Sequence, residues 1–211
     1  MKTEHLIEAM AEDRRRSGPA TGLALSVALL IGLAVSSGLF WATLGVRPDI
    51  DGALKSWQFD FKLLIVAAAL AAALAGCRRM SMPSSGALWG PWDAIAPALL
   101  VVGLAYDLVR LPSADWLPTA VGSNALLCLL AIPLLAVPIL TSMILALRTA
   151  APASPVGAGL MAGRVAAASA SFLYATHCVD DAALFVASWY TASLVMTSVI
   201  GAVTGRHFLK W

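Results

Sequence analysis

Charge is scarce in this chain: only 12% of its 211 residues are Asp, Glu, Lys or Arg, about half the share of a soluble domain. That shortage excludes an ordinary solvated surface. Alternation of polar and apolar residues at strand spacing is missing too, which argues against a membrane β-barrel. Cysteine is sparse. Cys77, Cys128 and Cys178 lie too far apart for a CxxC pair or a zinc knuckle, and three thiols make at most one intramolecular disulfide. There is no phosphate loop, HExxH, nucleophile elbow or dinucleotide fingerprint, so no motif nominates a catalytic centre. A signal peptide is not expected either: Met1–Ala20 is polar, and the apolar run after it reaches membrane-spanning length without a convincing cleavage site.

What the chain has in abundance is apolar length. Hydrophobic residues make up 60% of it, and its mean hydropathy is +0.83. About twenty apolar residues cross a bilayer core, and on that rule spans fall near 21–44, 61–77, 92–109, 122–147, 157–176 and 183–204. Pro, Gly and Ser mark most of the connections, as in Met82-Pro83-Ser84-Ser85-Gly86 and Pro152-Ala153-Ser154-Pro155. The expected fold is all-α, a polytopic membrane protein with six transmembrane helices and a short N-terminal amphipathic helix. Residues 1–20 form a cytoplasmic segment, 21–204 the membrane domain and 205–211 a cytoplasmic tail.

Basic residues orient the bundle. Arg47, Lys55, Lys62 and Arg110 fall on one face, and the other ten of the fourteen Lys and Arg residues on the opposite face. By the positive-inside rule both termini are cytoplasmic. Trp41, Trp57 and Trp116 near the outer ends, with Trp89, Trp92 and Trp211 near the inner ends, suit interfacial belts. This topology puts His177-Cys178-Val179-Asp180-Asp181 in a short outer loop. Cys128 lies on the same side, roughly 9 Å into the fourth span at 1.5 Å per residue. Cys77 lies at the cytoplasmic face and reads as an inert small residue.

Several features carry two readings. Cys178 with His177, Asp180 and Asp181 offers ligands for a thiophilic metal such as zinc or cadmium; alternatively, the thiol packs at a helix end while the two acids cap the sixth helix. The leader predicts a helix over Thr3–Asp13, with Leu6, Ile7 and Met10 on one stripe, broken by Ser17-Gly18-Pro19. That stripe rests on lipid through Arg14–Arg16 or docks in a groove of a protein partner. Glu4, Glu8, Glu12 and Asp13 favour the protein, one with a basic, nucleic-acid-binding surface. Arg78, Arg79 and the 148–156 loop would extend the same surface. Gly159-Leu-Met-Ala-Gly163 reads as helix packing within the bundle, with a homodimer face through Gly159 and Gly163 as the alternative. Pro133 and Pro138 predict a kink in the fourth span. Asp107, taken as the only acid inside a span, is expected to pair with Arg110 at the outer end.

At His177-Cys178-x-Asp180-Asp181, followed by Phe185 and Trp189-Tyr190, the chain resembles the NrsF-like membrane anti-sigma factors. The leader Met1-Lys2-Thr3-x-x-Leu6-Ile7-x-x-Met10, the block Pro91-Trp92-Asp93, the run Cys128-Leu-x-x-Ile132-Pro133 and the ending Gly205-Arg206-x-x-Leu209-Lys210-Trp211 extend the resemblance over the whole length. It implies a six-helix regulator of the bacterial inner membrane, not an enzyme. Such a protein holds an extracytoplasmic-function sigma factor of the sigma-F type through its cytoplasmic N-terminus, without contacting nucleic acid. It releases that factor on oxidative or heavy-metal stress. The family's two characteristic cysteines map onto Cys128 and Cys178. The expected sensing pair is Cys128 and Cys178, with His177 either a further ligand or an interfacial side chain; no resident cofactor is expected beyond a transiently bound heavy metal, and Leu6, Ile7 and Met10 form the expected partner-binding set. The other classes weighed are a small membrane thiol-redox enzyme and a metal transporter. The first would want a paired redox motif and the second a polar path through the bilayer, and the sequence offers neither.

Overall fold

The computed structural model describes residues 3–80, 90–149, 152 and 154–209, with side chains from Gly22 onward except that of Met80. Among the described residues there is no strand, and six helical segments are long and apolar enough to cross a membrane. These are Gly22–Thr43, Trp57–Arg79, Pro91–Arg110, Ser113–Arg148, Pro155–Ala175 and Ala183–Phe208. The all-α, six-span expectation holds.

Helix α1 runs from Thr3 to Thr43 as one element, through the Ser17-Gly18-Pro19 break that the sequence predicts. A proline inside a helix forfeits one i→i−4 bond and crowds one carbonyl. Here good helix formers stand on both sides, Glu8–Glu12 before it and Leu23–Leu25 after it, and they carry the helix across. Leader and first span therefore form a single rod of 41 residues, about 60 Å long at 1.5 Å per residue. The side chains of Leu6, Ile7 and Met10 lie outside the described residues, as do Trp89 and Trp211. Gly45 ends the rod: its φ is +68°, and its amide and that of Leu44 both donate to the Phe40 carbonyl at 2.9 Å.

The remaining long helices are α2 (Trp57–Met80), α3 (Ile95–Arg110), α4 (Ala125–Arg148), α5 (Pro155–Ala175) and α6 (Thr191–Phe208). Short turns lead into three of them: Pro91–Ala94 before α3, Trp116–Val121 before α4, and Ala183–Phe185 with the π turn Val186–Tyr190 before α6. Pro133 and Pro138 both lie inside the continuous α4. Two of that helix's carbonyls take hydroxyl donors from neighbours, Leu135 from Ser36 at 2.7 Å and Cys128 from Ser193 at 3.4 Å. Trp41, Trp57, Trp92 and Trp116 are exposed, as interfacial anchors should be.

α5 is the central post because its residues are small. Ala162, Val165, Ala166, Ala167, Ala168 and Ala170 are fully buried. Against α6 the two backbones nearly touch. A Cβ added at Gly163 would lie 2.7 Å from the Thr197 carbonyl oxygen, and one at Gly159 would collide with the Gly201 carbonyl. The small residues are thus spent inside the bundle, and the homodimer face expected as the alternative for Gly159 and Gly163 is occupied by α6.

Candidate functional site

α5 ends by stacking three amides on its last turn. Thr176 N–H donates to Leu173 O at 3.2 Å, and His177 and Cys178 N–H both donate to Tyr174 O at 3.0 Å. The chain then runs extended toward the sixth span, and several other elements meet its polar groups. The Cys178 carbonyl accepts from Lys62 Nζ on α2 at 2.8 Å and from Arg47 Nη1, just past α1, at 3.3 Å. Asp181 pairs with Lys62 and, at 2.9 Å, with Arg47. Arg47 also holds Asp49 at 2.7 Å. That hydrogen bond, with Asp181's charge adding to it, raises the guanidinium's pKa against the opposing effect of burial, while Asp49 is lowered by the same bond. The Phe59 ring lies beneath both cations, 5.8 Å from Arg47 and 5.2 Å from Lys62. The Lys62 side chain is fully buried, and Asp181 is 16% exposed. Two cations facing two carboxylates leave the cluster neutral, the condition under which buried charge is tolerated.

Asp180 faces the other way. It accepts from the backbone amides of Ser123 at 3.2 Å and Asn124 at 2.9 Å, from Asn124 Nδ2 at 3.0 Å and from Ser123 Oγ. These groups open α4, so the carboxylate caps the positive end of that helix. The reading of Asp180 and Asp181 as caps of the sixth helix is therefore corrected. That helix's cap comes from Asp107, which accepts the Leu184 amide at 3.0 Å. Nor does Asp107 pair with Arg110: the arginine lies over the Tyr106 ring, 5.6 Å from its centroid, and bonds the Tyr106 hydroxyl. In both cases a distant partner's unmet backbone groups outcompeted the nearest residue in sequence. Trp189 adds a bond to the Ala120 carbonyl at 2.9 Å. Gly122 has a φ of +60°, and a Cβ there would lie 2.5 Å from the Phe185 ring, so this junction requires glycine.

Inside this polar frame sit the two thiols. Cys128, one turn into α4, and Cys178 are both fully buried and both free, and they belong to the same apolar core. Cys178 Sγ donates to the Asp180 carbonyl at 3.8 Å. Tyr174, Tyr190 and Phe185 belong to the same buried core, with the Tyr190 ring centroid 6.0 Å from that of Tyr174 and 6.3 Å from that of Phe185. Burial pushes the Cys178 thiol up, with Lys62's charge opposing it, so at rest Cys178 is a protonated thiol rather than a reactive thiolate.

His177 does not join them. Its Nδ1 is 2.9 Å from the Gly45 carbonyl, which ties the loop to the end of α1. Among the described residues no group of three or more His, Cys, Asp or Glu side chains is arranged to hold a metal. The structure buries Cys128 and Cys178 in one core and places His177 against the turn that ends α1.

The opposite end of the bundle holds a second ion cluster. Asp93 pairs with Arg79 at 2.9 Å and with Arg164 at 2.6 Å, and accepts the Gly90 amide at 2.7 Å. Arg79, expected to extend a partner surface, is committed here, because a buried carboxylate draws the nearest guanidinium. Asp93 is also a second acid within a span, one that the sequence reading passed over. Cys77 is buried at this end. Lys62, Arg47, Asp93 and Arg164 entered the sequence reading only as topology counts or motif letters. For Lys62, Asp93 and Arg164 the available signal was their position within the spans, where a charged residue implies a partner.

Comparison with known proteins gives one consistent result. The family model described as negative regulator of sigma F matches residues 10–211. A probable anti-sigma-F factor NrsF of Azospira oryzae is 29% identical over 213 aligned residues, covering 100% of both chains. The anti-sigma-F factor NrsF of Caulobacter vibrioides is 28% identical over 215, again with 100% of each chain covered. No solved structure matches the chain.

Proposed function

The chain belongs to the NrsF family of negative regulators of sigma F, and on that premise we propose that it is an inner-membrane anti-sigma factor whose thiol-containing loop controls a cytoplasmic sigma-factor-binding leader. In this reading both termini are cytoplasmic, and the His177 end of the bundle faces the periplasm, where disulfides form and persist. The partner is an extracytoplasmic-function sigma factor, held by Leu6, Ile7 and Met10 as a helix in a groove. Oxidation or metal capture at Cys128 and Cys178 is the input, and release of the sigma factor is the output.

The observation that supports the coupling is where the loop is tied. His177 reaches Gly45 and Asp181 reaches Arg47, both at the end of α1, while Asp180 holds the start of the Cys128 helix. α1 continues as one helix from that junction to Thr3. A disulfide or a bound metal between the thiols would fasten the Cys178 loop to α4, and the Gly45 and Arg47 ties would carry any resulting shift to the rod. Release then follows only if the two states differ in affinity for the sigma factor. The test is co-purification of the sigma factor with the full chain and with a chain lacking residues 1–13. Loss of the complex on truncation is expected; full retention would remove the leader from the mechanism.

A further inference from the structure

α1 is held at two levels. At the His177 end, Gly45 and Arg47 tie its terminus to the thiol loop. Along the bundle it packs chiefly on α4, and the two backbones meet at Gly32. A Cβ there would lie 2.6 Å from the Ile139 Cα and 2.5 Å from Ser142 Oγ, whereas Gly22 and Gly38 on the same helix have no neighbour within 4 Å. One turn on, the buried Ser36 donates its hydroxyl to the Leu135 carbonyl at 2.7 Å. Leu135 and Ile139 stand on either side of Pro138, which has no N–H for the Leu134 carbonyl and so interrupts the bonding of α4 at this turn. Inside a membrane, Ser side chains of neighbouring helices help to satisfy the backbone around such a break. α1 is therefore seated on the break in the helix that carries Cys128.

The seat differs in kind from the α5–α6 contact. There, four glycines (Gly159, Gly163, Gly201 and Gly205) bring the backbones together over more than one turn, which fixes the angle between the helices. Contact at Gly32 alone fixes a position and leaves the angle free, and the Ser36 bond opposes sliding. The seat also divides α1 unequally. From Ser36 to Thr43, where the helix ends, is about 10 Å at 1.5 Å per residue, and from Gly32 back to Met10 is about 33 Å. We propose that α1 is a lever pivoting at Gly32 and Ser36 on the Pro138 turn of α4, so that a displacement of its His177 end returns at the leader roughly threefold larger and in the opposite direction. The inference rests on the reading that the thiol loop is the input, and it names the place where that input is converted.

The test uses the full chain in nanodiscs without its partner. Spin labels are attached through p-acetylphenylalanine introduced in pairs at exposed positions: Thr43 with Leu126 near the His177 end, Val35 with Val137 at the seat, and Leu23 with Leu145 toward the leader. The thiols are oxidised with diamide, which takes up their two hydrogens as the disulfide forms, and mass spectrometry confirms the product. Electron–electron double resonance should then show changed distances in the two end pairs and an unchanged distance at the seat. Gly32→Ala forces the helices apart at the pivot and should lose most of the leader-side change. Ser36→Ala adds no bulk, should do the same, and keeps the test valid if the glycine variant fails to fold. Movement of the His177-end pair alone, movement of all three pairs, or a full leader-side change in Ser36→Ala would overturn the lever while leaving the thiol input standing. No movement of any pair after oxidation would remove both.

Discussion

Asp181→Asn separates a structural ion cluster from a decorative one. The substitution keeps shape and removes one negative charge from between Arg47 and Lys62. Lys62 has no exposure to solvent at its side chain, so its charge would be left buried with neutral groups alone to meet it, the Cys178 carbonyl among them. Breaking a buried pair in this way costs about 3–5 kcal/mol, a fall on the order of 10 °C in melting temperature for a chain of this size. Asp49→Asn removes the same charge from the same arginine, but Asp49 is 60% exposed and water screens the loss; its melting temperature should stay essentially unchanged. Thermal unfolding of the two variants in one detergent gives the comparison. A third measurement closes the cycle: Lys62→Met added to Asp181→Asn removes the orphaned cation and should recover most of the loss. Equal melting temperatures for the two single variants would refute the reasoning, and so would a double variant less stable than Asp181→Asn.

Three further outcomes are expected. Asp180→Ala frees the start of α4, costs about 1–2 kcal/mol as a lost cap with its dipole interaction, and speeds alkylation of Cys178 under native conditions. Gly163→Val forces α5 and α6 apart and lowers the melting temperature, while the oligomeric state measured by light scattering stays the same; a dimer lost on substitution would reinstate the dimer reading. Because burial raises the Cys178 pKa, its thiolate fraction at any pH below that value is smaller than for a free thiol. Alkylation in the folded protein should therefore stay slow through the ordinary thiol range and accelerate only above it. A rate that rises at the pH of a free cysteine would contradict the buried geometry.

Much of the fold is legible in the chain because its rules are local. Six apolar runs bounded by Pro, Gly and Ser place six spans, and counting crossings puts Cys128 and Cys178 at the same end. The small-residue stripe at Gly159 and Gly163 announces close helix packing, and Gly201 and Gly205 supply its other half. What local rules miss is competition between distant partners. Asp180 sits three residues before Ala183, where the sixth span begins, yet it serves α4, whose opening amides lie 56 and 57 residues earlier in the chain. His177 stands beside a cysteine and binds a carbonyl 132 residues away. Lys62 looked like an interfacial charge, and only the fold shows it enclosed with Asp181. Pro19 illustrates the converse error: a breaker residue was given more weight than the helix formers flanking it.

The central claim is that chemistry at the buried thiols governs the hold on the sigma factor. It is tested most directly with the full chain reconstituted in nanodiscs, carrying the bound sigma factor, and exposed to a thiol oxidant or to cadmium. Wild type should release the sigma factor, and Cys128→Ser/Cys178→Ser should bind it equally well and retain it under the same treatment. Release from the double serine variant at the wild-type rate would contradict the account.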